Sequence, residues 1–287
     1  MSFGGKLLKL SHDSPITKTK MNVNIYLPKQ YFGSTTTETK IPVLLYLAGL
    51  TCDPNNGSEK AFFQPYADEY GFAVVYPDTS PRGVGNPGED DSWEFGTAAG
   101  FYVDAEKEPW SNNYKMYSYI LKDLLPSVGK AYTKLDLSRV SVTGHSMGGY
   151  GALMFFLKNP GFFKSCSAFA PICNPSEVPW GHTNFGGYLG DDKSKWLEYD
   201  PVHLIKKYDG PKSTILYHVG TKDGFEVNQR QLRPETLVEA SKGTVLDGYV
   251  EYKSVKDFDH SYYFVSSFAG EHSAHHAKYL GLTSSKL

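Results

Sequence analysis

No apolar run in this sequence is long enough to cross a bilayer. The longest, Ile41 to Leu50, is interrupted by Pro42 and has about half the length a membrane-spanning helix needs. Neither sign of charge is in excess: Lys and Arg number 29, Asp and Glu 31, and the formal net charge is -2. Such a chain has no cationic field for a phosphate backbone, which argues against nucleic acid as a partner. Cysteine is scarce. Cys52, Cys166 and Cys173 cannot all pair within one chain, and their spacing fits neither C-x-x-C nor a zinc-ligand pattern, so reduced thiols are expected. The stretch Ser2 to Lys9 soon turns polar and lacks the apolar core of a secretory signal, so no export is expected. The sequon Asn56-Gly57-Ser58 is accordingly read as a turn-forming loop.

What is present is ordinary globular composition, 40% hydrophobic and 21% charged, with many aromatics (Tyr 21, Phe 17). There is no internal repeat, low-complexity segment or Gly/Ser linker, so residues 1–287 are read as one large α/β domain. The last three residues, Ser285-Lys286-Leu287, form the tripeptide that acts as a peroxisomal address at a free C-terminus. A cytoplasmic or peroxisomal location is therefore expected.

Met21 to Leu27 alternates apolar and polar residues, the period of a half-buried strand. Val43–Leu47, Ala73–Tyr76, Val140–Thr143 and Thr214–Val219 are short β-branched or aromatic runs suited to central parallel strands, and Tyr249–Val255 is a last strand. Helix-like stretches lie near Lys60–Tyr70, Tyr114–Tyr132, Gly148–Lys158 and Pro234–Lys242, with another after the last strand. This alternation predicts a mostly parallel sheet with helices on both faces and function on the loops that follow the strands.

Gly144-His145-Ser146-Met147-Gly148 follows a strand directly and opens a helix, which is G-x-S-x-G in its required setting. Glycines allow a strained turn that lifts Ser146 above the sheet while strand and helix pass close by. A serine hydroxyl needs a base, and the base an orienting carboxylate, here in the order Ser, acid, His. His12 and His145 precede Ser146, and His218 lies inside a strand. His260, on the loop after the last strand, is the expected base. His272, His275 and His276 share one helix face and are read as an exposed polar surface rather than a metal site. Asp223, after the strand Thr214–Val219, is the expected acid, with Asp209, Asp247 and Asp257 as rivals. The oxyanion donors are expected to be the backbone N–H groups of Met147 and Leu50, the latter on the loop Ala48–Cys52 where Gly49 turns the chain inward. Cys52 then becomes a thiol near the site. Gly83 to Gly88 matches G-x-G-x-x-G, but no strand leads into it and Glu89-Asp90-Asp91 would repel a pyrophosphate, so it is rejected as a dinucleotide site.

Several segments together resemble the S-formylglutathione hydrolase (esterase D) family: Ala48–Cys52, Tyr76–Gly83, Gly144–Ala152, Ser167–Ile172 and Phe258–Phe264. The likeness runs from about Gly5 to Leu282. It implies an α/β-hydrolase fold, no cofactor, a homodimer, and hydrolysis of S-formylglutathione to glutathione and formate in formaldehyde detoxification. Carried over by position, it places the triad on Ser146, Asp223 and His260. Gly224 departs from the family, where proline is expected in some relatives. A formyl group is small, so bulky side chains, with Trp93 and Trp180 as candidates, are expected to narrow the acyl pocket. The rival readings are a general short-chain carboxylesterase, an acyltransferase, and a non-catalytic module built on a hydrolase fold.

Overall fold

The computed structural model describes residues 2–33 and 40–284. Eight strands form a single sheet: β1 (Lys6–Asp13), β2 (Lys20–Leu27), β3 (Ile41–Leu47), β4 (Ala73–Pro77), β5 (Leu135–Gly144), β6 (Phe163–Phe169), β7 (Ile215–Gly220) and β8 (Val250–Val255). Their spatial order is β1-β2-β4-β3-β5-β6-β7-β8. From β4 to β8 every neighbouring pair is parallel, whereas β1–β2 and β2–β4 are antiparallel. The doubly covered centre explains the apolar runs of β3 and β4, whose residues are all buried. Tyrosine supplies much of the core: Tyr26, Tyr46, Tyr76, Tyr102, Tyr114, Tyr119, Tyr150, Tyr188 and Tyr217 are fully buried, which is where the aromatic surplus goes.

Two strands have no hydrophobic signature. β1 is an edge strand, mostly exposed and bearing Lys6 and Lys9, as suits an edge that must not pair with other chains. β6 reads as polar because Ser165 and Ser167 interrupt it, yet both are buried and bonded to side chains. The stretch Lys60–Tyr70 is not one helix. Helices Pro54–Lys60 and Gln64–Tyr70 are separated at Phe62 (φ 61°), since Pro65 lacks the N–H that a continuous helix would need there.

The sequon Asn56-Gly57-Ser58 lies in the first of these helices rather than in a loop. Asp53 caps it, Pro54 occupies its first turn, and the Asn56 side chain returns to the Asp53 N–H (2.9 Å), completing a capping box.

The histidines of the long helix Tyr262–Tyr279 are likewise not an exposed face. His272 and His276 are wholly buried against the sheet. Ser167 Oγ bonds Thr143 Oγ1, His272 Nδ1 and His276 Nε2, each at 2.8 Å. His276 Nδ1 meets Ser165 Oγ at 2.8 Å, and His272 Nε2 meets His218 Nδ1 at 2.9 Å. Buried imidazoles are tolerated here because β5, β6 and β7 supply hydroxyl and ring partners at the matching height. Among the described residues no helix is long and apolar enough to cross a membrane.

Candidate active site

β5 ends at Gly144, and the helix Met147–Lys158 begins three residues later. Between them Ser146 adopts φ 59°, ψ -121°, a strained conformation for a residue with a side chain. Two backbone bonds hold it: its N–H donates to Phe169 O (2.9 Å), and its carbonyl accepts the Tyr150 N–H (2.9 Å). The neighbouring glycines are steric necessities. A Cβ on Gly148 would stand 2.0 Å from Leu47 O, and one on Gly144 2.2 Å from Gly148 O.

Asp223 and His260 come from consecutive loops at the same end of the sheet. The loops are laced together by Thr221 N–H to Val255 O and Lys222 N–H to Phe258 O, both 2.9 Å. Asp223 is wholly buried and caps the short helix Gly224–Val227, with Oδ1 accepting the Phe225 N–H at 3.0 Å. Its Oδ2 lies 2.5 Å from His260 Nδ1. Such a carboxylate fixes the imidazole tautomer with Nε2 free to take a proton and stabilises the imidazolium. Two of the three rival carboxylates are engaged elsewhere: Asp257 pairs with Lys222 (2.9 Å) and Asp247 accepts the Gly243 N–H (2.9 Å).

Ser146 and His260 line one cavity of about 280 Å³, together with Leu50, Cys52, Trp93, Trp180 and Phe225. Trp180 is buried and donates its indole N–H to Glu94 (2.7 Å), while Trp93 stacks edge-on against it (6.0 Å) and is half exposed. Phe225 packs on both Trp180 (4.8 Å) and His260 (4.7 Å). The sequence gives no sign of this double contact, which arises only when Asp223 caps the short helix and turns Phe225 inward. His145, the second residue of the elbow, precedes Ser146 and is out of chain order for the base. In the structure its ring lies 4.6 Å from that of His260, and burial holds its imidazole neutral by pushing its pKa well below the usual value.

The loop after β3 faces Ser146. A Cβ on Gly49 would be 3.1 Å from Ser146 Cβ, so glycine serves close approach here, and the left-handed residue of this loop is Thr51 (φ 66°). The loop is firmly pinned. Tyr102 donates to Ala48 O (2.8 Å), Thr79 and Arg82 both donate to Cys52 O (2.6 and 3.0 Å), and Arg82 also forms a forked pair with Asp78. Among the described hydrogen bonds neither the Leu50 nor the Met147 N–H is spent on another group. Two preorganised donors of this kind can receive charge that develops on an acyl oxygen. Burial raises the pKa of Cys52, which keeps it a thiol.

The Esterase family model matches residues 14–278. An S-formylglutathione hydrolase of Saccharomyces cerevisiae is 54% identical, covering 97% of this chain and 96% of its own, and that of Rattus norvegicus is 47% identical, covering 97% and 95%. The solved S-formylglutathione hydrolase of Agrobacterium tumefaciens superposes with a TM-score of 0.90 at 42% identity, covering 98% of both chains. With a sheet, elbow and pocket of this kind and relatives matched end to end, the chain is a hydrolase of the α/β-hydrolase fold and belongs to the S-formylglutathione hydrolase family.

Proposed function

We propose that this enzyme hydrolyses the thioester S-formylglutathione to glutathione and formate, as part of formaldehyde removal, with Ser146, His260 and Asp223 as its triad. The observation that carries the reading is the contact of the buried Asp223 carboxylate with His260 (2.5 Å), behind the cavity that His260 and Ser146 line together. Ser146 Oγ attacks the formyl carbon as His260 Nε2 takes its proton. The oxyanion is received by the Leu50 and Met147 N–H groups. When the intermediate collapses, the C–S bond breaks and the sulfur leaves with the proton from His260. A thiol pKa of about 8.5 makes this departure easy, so acid assistance matters less than in amide cleavage. Water, deprotonated by His260, then attacks the formyl-serine ester, and formate leaves.

The bulky side chains of Trp93, Trp180 and Phe225 on the cavity wall favour a small acyl group, and small carboxylic esters are expected as secondary substrates. A general short-chain esterase is separated from this reading by kcat/KM for S-formylglutathione against an aryl ester. The direct test is turnover of S-formylglutathione by the wild type beside Ser146→Ala, which should lower kcat by at least about 10³-fold. Retention of most activity would overturn the nucleophile. The tripeptide Ser285-Lys286-Leu287 lies outside the described residues. Its reading as a peroxisomal address is tested by fusing it to a fluorescent reporter, and a reporter that stays diffuse would refute it.

A further inference from the structure

Among the described residues no lysine or arginine lines the catalytic cavity, yet the leaving group assigned above is a tripeptide with two carboxylates and one ammonium. Its charged tail therefore needs a partner outside that cavity. A second groove, of about 460 Å³, adjoins it and shares Ser261 and Tyr262 as a common wall. Its other borders are Glu59, Lys60, Phe62, Tyr263 and Ser266. Phe62 is 50% and Tyr263 84% exposed, a large apolar surface to leave in water beside a reaction centre.

The charges in this groove are unequal. Glu59 is already neutralised by Lys9 at 2.5 Å, whereas Lys60 forms no ion pair among the described residues.

We propose that this groove holds the tail of the thiol leaving group, with Lys60 paired to one of its carboxylates and Phe62 and Tyr263 flanking the peptide. The assignment rests on S-formylglutathione being the substrate. It makes Lys60 a specificity residue: the formyl group enters the cavity at Ser146, the sulfur passes Tyr262, and the anionic tail lies outside.

The test compares S-formylglutathione with an uncharged aryl acetate on wild type, Lys60→Gln, Lys60→Glu and Tyr263→Ala. The ratio of the two kcat/KM values should fall about threefold in Lys60→Gln and about tenfold in Lys60→Glu, carried mainly by KM for the thioester. Tyr263→Ala should lower the ratio in the same direction. Added salt should depress wild-type kcat/KM for the thioester and do so less in Lys60→Gln. A ratio that stays within about twofold in Lys60→Glu, or an equal loss on both substrates, would overturn the groove assignment while leaving the substrate intact. A wild type that cleaves the aryl ester but not S-formylglutathione would overturn the substrate itself, and the assignment with it.

Discussion

The carboxylate of Asp223 serves two partners at once, accepting the Phe225 N–H with one oxygen (3.0 Å) and facing His260 Nδ1 with the other (2.5 Å). The first bond anchors Asp223 to a helix start, and the second orients the His260 ring. Asn at this position keeps a capping oxygen but loses the charge that stabilises the imidazolium. Asp223→Asn should therefore lower kcat by about 10²- to 10⁴-fold while the melting temperature changes little. Steady-state kinetics and thermal unfolding on the same preparation check this, and more than a tenth of wild-type kcat would remove Asp223 from the role.

Gly224 has no left-handed φ, its N–H is not engaged among the described hydrogen bonds, and an added Cβ would meet only Asn228 Nδ2 at an ordinary 3.6 Å. It is the first residue of its helix, and Asp223 before it is extended (ψ 109°), which suits a residue preceding proline. Gly224→Pro should stabilise the protein by about 0.4 to 1 kcal/mol by restricting the unfolded chain. A lowered melting temperature would contradict this.

Cys52 lines the cavity but is buried, and burial raises its pKa, so little thiolate exists at neutral pH. A bulky maleimide should inactivate slowly at pH 7 and faster with rising pH, with no plateau at the ordinary thiol pKa of about 8.5. Cys52→Ala should be resistant. Equal inactivation of that variant would place the modified thiol elsewhere.

Ser167 is the hub of the buried histidine network, touching Thr143, His272 and His276. Ser167→Ala leaves these groups short of a partner and should cost about 1 to 3 kcal/mol, read by denaturant unfolding. Burial lowers the pKa of His272 and His276, and that of His275 to about 4. The unfolded chain therefore takes up protons, from about pH 6.5 downward, that the folded one refuses. Stability should be complete above pH 6.5 and fall progressively toward pH 4, with a shallower slope in His275→Gln. Stability that is flat across this window would show that these imidazoles ionise alike in both states.

Where local rules govern, the sequence was legible. The period-two and apolar runs located β2, β3, β4, β7 and β8, and the glycines around Ser146 announced a turn that the backbone adopts at φ 59°. It failed where burial is decided by a distant partner. β6 looks polar until His272 and His276 arrive from a helix about a hundred residues later to satisfy its serines, and those histidines look exposed until β6 is in place. The sequon looked like a loop because the capping box that makes it helical depends on a side chain closing back on the backbone.

The sequence by itself determined the reaction class, a hydrolase: Ser146 stands in G-x-S-x-G between a strand and a helix, and Asp223 and His260 follow later strands in the order the chemistry needs, a pattern that local chain chemistry carries. Only the tertiary structure decided which carboxylate reaches His260, that Phe225 and His145 pack around that ring, and that Lys60 stands at a groove joined to the cavity. Those relations join residues far apart in the chain, and their distances follow from how the sheet and its helices pack, a quantity no local pattern contains.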